Sequence, residues 1–560
     1  MGGPRTLPQA LEQAAQSSEG YTFVVDGRER LCTYAELQQS AFRVARALRD
    51  AGLKPGDLVA LVVPDAEQFL TTLFGASMAG LIPASLYPPA TAGELGRYFE
   101  LTAGILRTAR ARVVITSEHL SPGFESLRPS CPDLQLVLSR ESLDAPATPP
   151  ERFPSLDDIA FVQFTSGSTA APKGVVLSHR NLSANVDAIN GPAGLGTGAE
   201  DSAVSWLPLY HDMGLVGMAL GPLFSARPGV LLTPQAFVKR PADWLKAISR
   251  YHATVSFAPN FAYELSVRRV KDRDLEGLDL SSWRVAGCGA EPIHAPTLTA
   301  FAERFAAAGF RSTSFLPCYG LAEHVLAATF PGRDRGLRVD RLSADELTEQ
   351  GRAVPASPDG PAVELISCGR ALPGHEVRVV SESGDPVEER EVGEITLSGP
   401  SVMLGYYRND ELTAETVRDG WLYTGDLGYI SNGELFVCGR VKDVIIVHGR
   451  KYHAQDLEWA VGDLPGIRRG RVAAFATSDH GTSDRVVLVV EPSGTVEAAA
   501  LAEAIRRRVS EMFGLYVDEI VPVSSGTIGR TTSGKVQRAA TRARYERGEL
   551  AEPERLSAEG

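Results

Sequence analysis

The sequence predicts an α/β protein: a large N-terminal unit of parallel sheets covered by helices on both faces, then a small α+β unit. Two observations lead there. Short apolar runs bounded by turn residues alternate with helical periods through the first three-quarters of the chain, as expected of strands buried on both faces. Past Arg440 the pattern restarts, with strand and helix signals enough for a separate core in about 120 residues.

Taken in order, Thr33 and Glu36 make a capping box, and Leu37, Ala41, Val44 and Leu48 then share one helical face until Gly52 ends it. A strand follows at 58–63. Further strand-like runs stand at 113–115, 134–138, 159–164, 230–232, 255–258 and 284–286. After Leu397 short β-rich pieces with glycine turns run to GELFVCGR at 433–440. The C-terminal unit reads as a strand at 444–447, a helix from Ala454, strands at 472–476 and 486–490, and an amphipathic helix around 499–512. From about Tyr545 the chain is charged and poor in apolar residues, so a loose tail is expected.

Composition narrows the class. With 560 residues, 44% hydrophobic and 22% charged, the chain is a folded protein of several structural units. Its net charge of −13 gives no general footprint for nucleic acid or anionic lipid. The six cysteines show no metal-ligand or redox-pair spacing, and read as inert thiols in a reducing compartment. The opening MGGPRTLPQALEQAAQ lacks the basic head and apolar run of a secretory signal, and the apolar stretch 215–224 is too short to span a bilayer. A cytoplasmic protein without stable membrane insertion is expected.

The strongest local signal is FTSGSTAAPKGV at 164–175, directly after a strand. Small and hydroxyl residues let the backbone approach an anion, so the N–H groups with Thr165, Ser166, Gly167, Ser168 and Thr169 can cradle phosphate oxygens, and Lys173 adds a positive charge. Gly174 follows the lysine, which excludes the Walker pattern.

This segment resembles the phosphate loop of the adenylate-forming superfamily of acyl-CoA synthetases, nonribosomal adenylation domains and luciferases. Its other motifs follow in the family's order: GAEP at 289–292, YGLAE at 319–323, YTGD at 423–426, GRVKD at 439–443 and TSGKVQR at 532–538. The resemblance implies an N-terminal adenylation domain over 1–440 with αβαβα layers and a β-rich subdomain. A small mobile C-terminal domain would cover 441–560 and carry the catalytic lysine. It implies ATP and Mg²⁺ as cofactors. Gly289, Ala290, Glu291 and Pro292 would line the adenine pocket, with Tyr319 and Gly320 beside the base, and Asp426 and Arg440 at the ribose. Glu323 and Thr169 would hold the metal. Lys535 would bridge the carboxylate and the α-phosphate, and Lys442 would be the hinge. An acid attacking a phosphate brings anion towards anion, so such a site must work by charge and position.

In SWLPLYHDMGLVG at 205–217, His211 resembles the family's aromatic residue near the acyl carboxylate. Asp212 does not fit the aspartate with which amino-acid adenylation domains hold an ammonium. Within the superfamily, LPLYHDMG, GRKYHAQDLE at 449–458 and FLPCYGLAEHVLAATF at 315–330 resemble fatty acyl-AMP ligases. The long stretch between Glu323 and Gly369 resembles their extra segment, here about 332–367, which is associated with poor use of coenzyme A. Ala170 stands where the superfamily usually has glycine, a position at which these ligases vary. The resemblance implies activation of a fatty acid to its adenylate, then transfer to an acyl carrier protein in trans. A fatty acyl-CoA synthetase is the nearest alternative, and a catalytically silent adenylate-binding protein an alternative of another class.

Overall fold

The computed structural model describes residues 3–89, 95–165, 173–447, 449–478, 484–494, 497–530 and 535–550. Two seven-stranded sheets form its centre. One runs in the order Phe315–Pro317, Val285–Cys288, Val255–Ala258, Ala203–Ser205, Gly229–Leu232, Gly20–Val25, Arg28–Thr33, and is parallel save for the last pairing. The other runs Gly405–Tyr406, Lys173–Ser178, Ile159–Thr165, Ile82–Ser85, Leu58–Val62, Val113–Thr116, Leu136–Ser139, with its first two pairings antiparallel. The expected parallel sheets are therefore present with antiparallel edges.

Alternation of side chains explains the layering. In the strand Leu58–Val62, Val59 and Leu61 point into a core shared with helices Tyr34–Asp50 and Ala66–Met78, while Leu58, Ala60 and Val62 join helix Leu95–Ala109 on the opposite face. The first of those cores also takes Tyr21 and Phe23 from the other sheet, so the two helices lie between the sheets. Helices Ala242–Arg250 and Ala295–Phe305 cover the far face of that other sheet around Trp244, Trp283 and Phe301. The result is αβαβα. The capping box is present, with the Thr33 hydroxyl accepting from the Glu36 N–H.

A smaller antiparallel sheet follows, built from Glu376–Val380, Gly393–Ser398, Val417–Arg418, Trp421–Ser431 and Glu434–Arg440. Beyond it, Val444–Val447 pairs with Arg450–His453, and helix Ala454–Gly462 leads to the sheet Ile467–Ser478, Asp484–Pro492, Glu519–Pro522. Within 332–367, Val339–Ser343 and Ala362–Ile366 form a hairpin enclosing helix Ala344–Gln350. Leu342, Leu347 and Val363 of this excursion share one apolar cluster with Tyr452, Leu457 and Val509, and Arg450 meets Glu349 at 2.5 Å.

Two expectations need correction. The strand read at 134–138 forms at Leu136–Ser139, since Cys131 and Leu134 turn into the core instead. Tyr545 is not part of a loose tail: it belongs to helix Arg538–Glu546, its ring packs on Phe475, and its hydroxyl donates to Glu519 at 2.7 Å. Residues 551–560 lie outside the described residues. All six cysteines are free thiols, and five of them are buried. No helix among the described residues is long and apolar enough to cross a membrane.

Candidate active site

A cavity of about 1580 Å³ opens where the sheets of the N-terminal part meet the C-terminal unit. Strand ends and the turns after them deliver its polar groups, because a turn leaving a buried strand is the first point where a side chain can reach solvent. Lys173 begins the strand Lys173–Ser178 and faces this cavity. Ser166, Gly167, Ser168 and Thr169 lie outside the described residues, and Thr165 only ends the strand before them.

Asp426 and Arg440 stand opposite each other on paired strands, and Arg440 Nε reaches Asp426 Oδ1 at 2.9 Å. Tyr319 is 8% exposed and donates its hydroxyl to Asp426 Oδ2, also at 2.9 Å. Burial, reinforced by the charge of Asp426, raises the Tyr319 phenol well above its usual range, so it stays a donor. Ala290, Glu291 and Pro292 line the cavity, whereas Gly289 sits behind it against Cys318. The Glu291 carboxylate accepts the Phe261 N–H at 2.6 Å, at the start of helix Asn260–Arg269, and burial pushes its pKa up to about 7.

Glu323 reaches the cavity through a strained turn. Leu326 N–H donates to His324 O at 2.8 Å across Val325, whose φ is 66°. A β-branched residue adopts that backbone only when its surroundings impose it, at a cost of about 1–3 kcal/mol. Here Asn185 exchanges two hydrogen bonds with Ala327, and the turn closes so tightly that a Cβ at Gly320 would lie 1.8 Å from Leu326 O. The motif glycine is thus a space requirement. Tyr406 donates its hydroxyl to Glu323 Oε1 at 2.8 Å, and Lys173 Nζ lies 5.2 Å from the centre of the Tyr406 ring. Burial, with Lys442 nearby, holds the Lys173 ammonium below its usual range despite Glu323. Lys442 itself is exposed, in the short turn Val441–Asp443.

His211 lines the same cavity just before a π-helix, Met213–Leu220. Such wide turns recur at functional sites because they re-aim neighbouring side chains. Gly214 lets this helix abut the preceding loop, since a Cβ there would meet Pro208 O at 2.2 Å. His211 Nδ1 lies 2.5 Å from Asp212 Oδ1.

Lys535 comes from the C-terminal unit and also lines the cavity. Burial, with the charge of Arg440, lowers its pKa, while Asp426, Asp212 and Glu291 oppose that shift. Three residues on, Arg538 grips Glu458 at 2.6 and 2.7 Å and Asp443 at 2.5 Å. One guanidinium therefore ties the lysine loop to helix Ala454–Gly462 and to the residue after Lys442.

The structure brings together Lys173, His211, Tyr319, Glu323, Asp426, Arg440 and Lys535. It adds Tyr406, Asp212 and Arg538, which the sequence reading left without a role. Arg538 closes a motif and Asp212 adjoins His211, so both carried a positional hint. Tyr406 lies far along the chain from Glu323 in an unremarkable GYY, and only folding reveals it.

The model of the AMP-binding enzyme family matches residues 11–407. A protein of Caulobacter vibrioides carrying the provisional name acyl-CoA synthetase is 38% identical over 96% of this chain and 95% of its own length. JamA of Moorena producens, a medium-chain-fatty-acid–[acyl-carrier-protein] ligase, is 34% identical over 97% of this chain and 95% of its own. A solved structure from a study of fatty acyl-adenylate ligases of E. coli and L. pneumophila superposes with a TM-score of 0.92 at 38% identity, covering 98% of each chain. With these matches and this cavity, the chain belongs to the AMP-binding, adenylate-forming enzymes, in their fatty acyl-AMP ligase branch.

Proposed function

We propose that this enzyme joins a fatty acid to AMP, releasing pyrophosphate, and then passes the acyl group to the phosphopantetheine thiol of a carrier protein. The observation that carries the reading is Lys535, delivered from the C-terminal unit into a cavity that already holds Asp426, Tyr319, Glu323 and His211. A carboxylate oxygen attacks the α-phosphorus, the bond to the β-phosphate oxygen breaks, and pyrophosphate leaves with the electron pair. Lys535 sets a compact positive charge beside the atoms where negative charge gathers. Asp426 keeps acceptor capacity for ribose hydroxyls, since each carboxylate oxygen can accept twice and each holds one partner here. His211 meets the acyl carboxylate, and Lys173 the phosphates.

Magnesium fits this wall. Among the described residues no cluster of three or more His, Cys, Asp or Glu is placed to grip a metal. A magnesium ion on a nucleotide needs only one or two carboxylates beside phosphate oxygens and water, and Glu323 supplies one. When bound, the ion would offset phosphate charge.

The contact of 332–367 with the C-terminal unit supports a carrier thiol over coenzyme A as acceptor. Rotation of that unit about Lys442 would strip Leu342, Leu347 and Val363 from their apolar partners. We place the hinge at Lys442, between Arg440, paired to the N-terminal part, and Asp443, clamped by Arg538. Free thiols throughout agree with a cytoplasmic setting.

The test is product analysis by mass with ATP, Mg²⁺ and a medium-chain fatty acid, with and without coenzyme A or a carrier protein bearing a free phosphopantetheine thiol. Acyl-adenylate that persists with coenzyme A and is consumed by the carrier is expected; acyl-CoA as the main product would overturn the acceptor assignment. Lys535→Ala should keep the fold and slow adenylation by at least ~10²-fold, the usual cost of losing one charge-stabilising donor. Unchanged adenylation in that variant would remove Lys535 from the mechanism.

A further inference from the structure

Asp212 is the one charged residue of the SWLPLYHDMG segment to which the reaction described above assigns no task. We propose that Asp212 is a positioning residue, which holds the His211 ring in one orientation, its Nδ1–H turned to the Asp212 carboxylate, so that its Nε2 meets the carboxylate of the acyl substrate. The proposal rests on the acyl-activation reading.

The geometry makes Asp212 a fixed support. It is 9% exposed, and its Oδ1 accepts the Met213 N–H at 2.8 Å, capping the π-helix Met213–Leu220. The same oxygen lies 2.5 Å from His211 Nδ1. The His211 backbone is held on both sides, donating to Pro208 O at 3.2 Å and accepting from Leu215 N–H at 2.8 Å. Asp212 cannot turn away without breaking the helix start. With Nδ1 committed to Asp212, Nε2 is the ring nitrogen left for the cavity, and the His211 side chain keeps 27% of its surface.

Chemistry explains why this pairing matters. A carboxylate that is only an acceptor compels Nδ1 to carry the proton. The substrate carboxylate is likewise only an acceptor, so Nε2 must meet it as a donor, and the charge then carried by the ring is balanced by Asp212. Burial alone would push the Asp212 carboxyl upward, but His211, the Met213 N–H and Lys535 hold it below the usual carboxylate range, so it remains the charged partner. The arrangement parallels the hydrolase triads, in which a buried aspartate orients the histidine ring and balances its imidazolium charge.

The test uses the full-length enzyme and follows pyrophosphate release while fatty acid and ATP are varied separately. Asp212→Asn keeps an acceptor for the Met213 N–H but offers His211 an amide, so a purely structural cap would survive it. Asp212→Asn is expected to lower kcat/KM for the fatty acid by at least about 10-fold, with KM for ATP within about 2-fold of wild type. In a His211→Gln background the same substitution should cost less than about 2-fold, because the residue through which it acts is gone. Asp212→Ser, which also caps a helix, should repeat the pattern if the asparagine variant folds poorly. Unchanged kcat/KM in Asp212→Asn would overturn the proposal, as would an equal loss with and without His211. Wild-type enzyme that makes no acyl-adenylate would instead sink the acyl-activation reading itself.

Discussion

Asp456 shows how one buried carboxyl can set a pH response. It is 7% exposed, and its Oδ1 lacks a partner among the described residues. Burial, with Glu458 beside it and Arg538 only partly offsetting, pushes its pKa up to about 8. The folded state therefore holds this proton more tightly than the unfolded chain, whose aspartates titrate near ~4. Where the native state binds more protons, stability falls as pH rises, so this residue costs stability progressively between those two values. Asp456→Asn should flatten the fall, gaining most in melting temperature near pH ~8 and least near pH ~4. Parallel melting curves for the two proteins would show that Asp456 is not the source.

At the scale of elements, Arg538 joins three pieces that the chain order keeps apart: the lysine loop, helix Ala454–Gly462 and the turn Val441–Asp443. Removing one partner from a buried ion cluster leaves the others uncompensated, typically costing ~3–5 kcal/mol. Arg538→Gln should destabilise the C-terminal unit and slow adenylation, because Lys535 loses its anchor. Arg538→Lys should fall between, since an ammonium cannot hold Glu458 through two bonds. Calorimetry and pyrophosphate release would check that order; a lysine variant no better than glutamine would show that charge contributes nothing here. Most elements were legible beforehand: strands at 113–115, 159–164, 230–232 and 255–258 form within a residue or two of where they were read. Those runs are apolar on both faces, and burial on both sides leaves little choice of conformation. The strand expected at 134–138 shifted because part of its apolar content packs as a turn, a choice that tertiary packing makes.

For the whole molecule, the excursion 332–367 is the feature with the largest reach. Leu347 is 3% exposed within the cluster it shares with the C-terminal unit. Leu347→Ala should cost ~2–5 kcal/mol of packing there. The expected readout is faster proteolytic cleavage near 441–443 in the absence of substrates, together with more acyl-CoA in the product analysis. Unchanged cleavage would mean that the excursion does not restrain the unit.

What the sequence by itself determined is the family: six motifs in the superfamily's order span most of the chain, and they set which residues to look for at the phosphate, adenine, ribose, metal and lysine positions. Local spacing carries that information because a motif is a few consecutive residues, whose types and order can be matched before the chain is folded. Only the tertiary structure decided how those motifs meet. It placed the Tyr406 hydroxyl on Glu323, paired Asp426 with Arg440 across two strands, set Asp212 behind His211, and seated the 344–350 helix against the C-terminal unit. The physical reason is range: hydrogen bonds and apolar contacts act over a few ångströms in space, and residues far apart along the chain reach that distance only when the layers close.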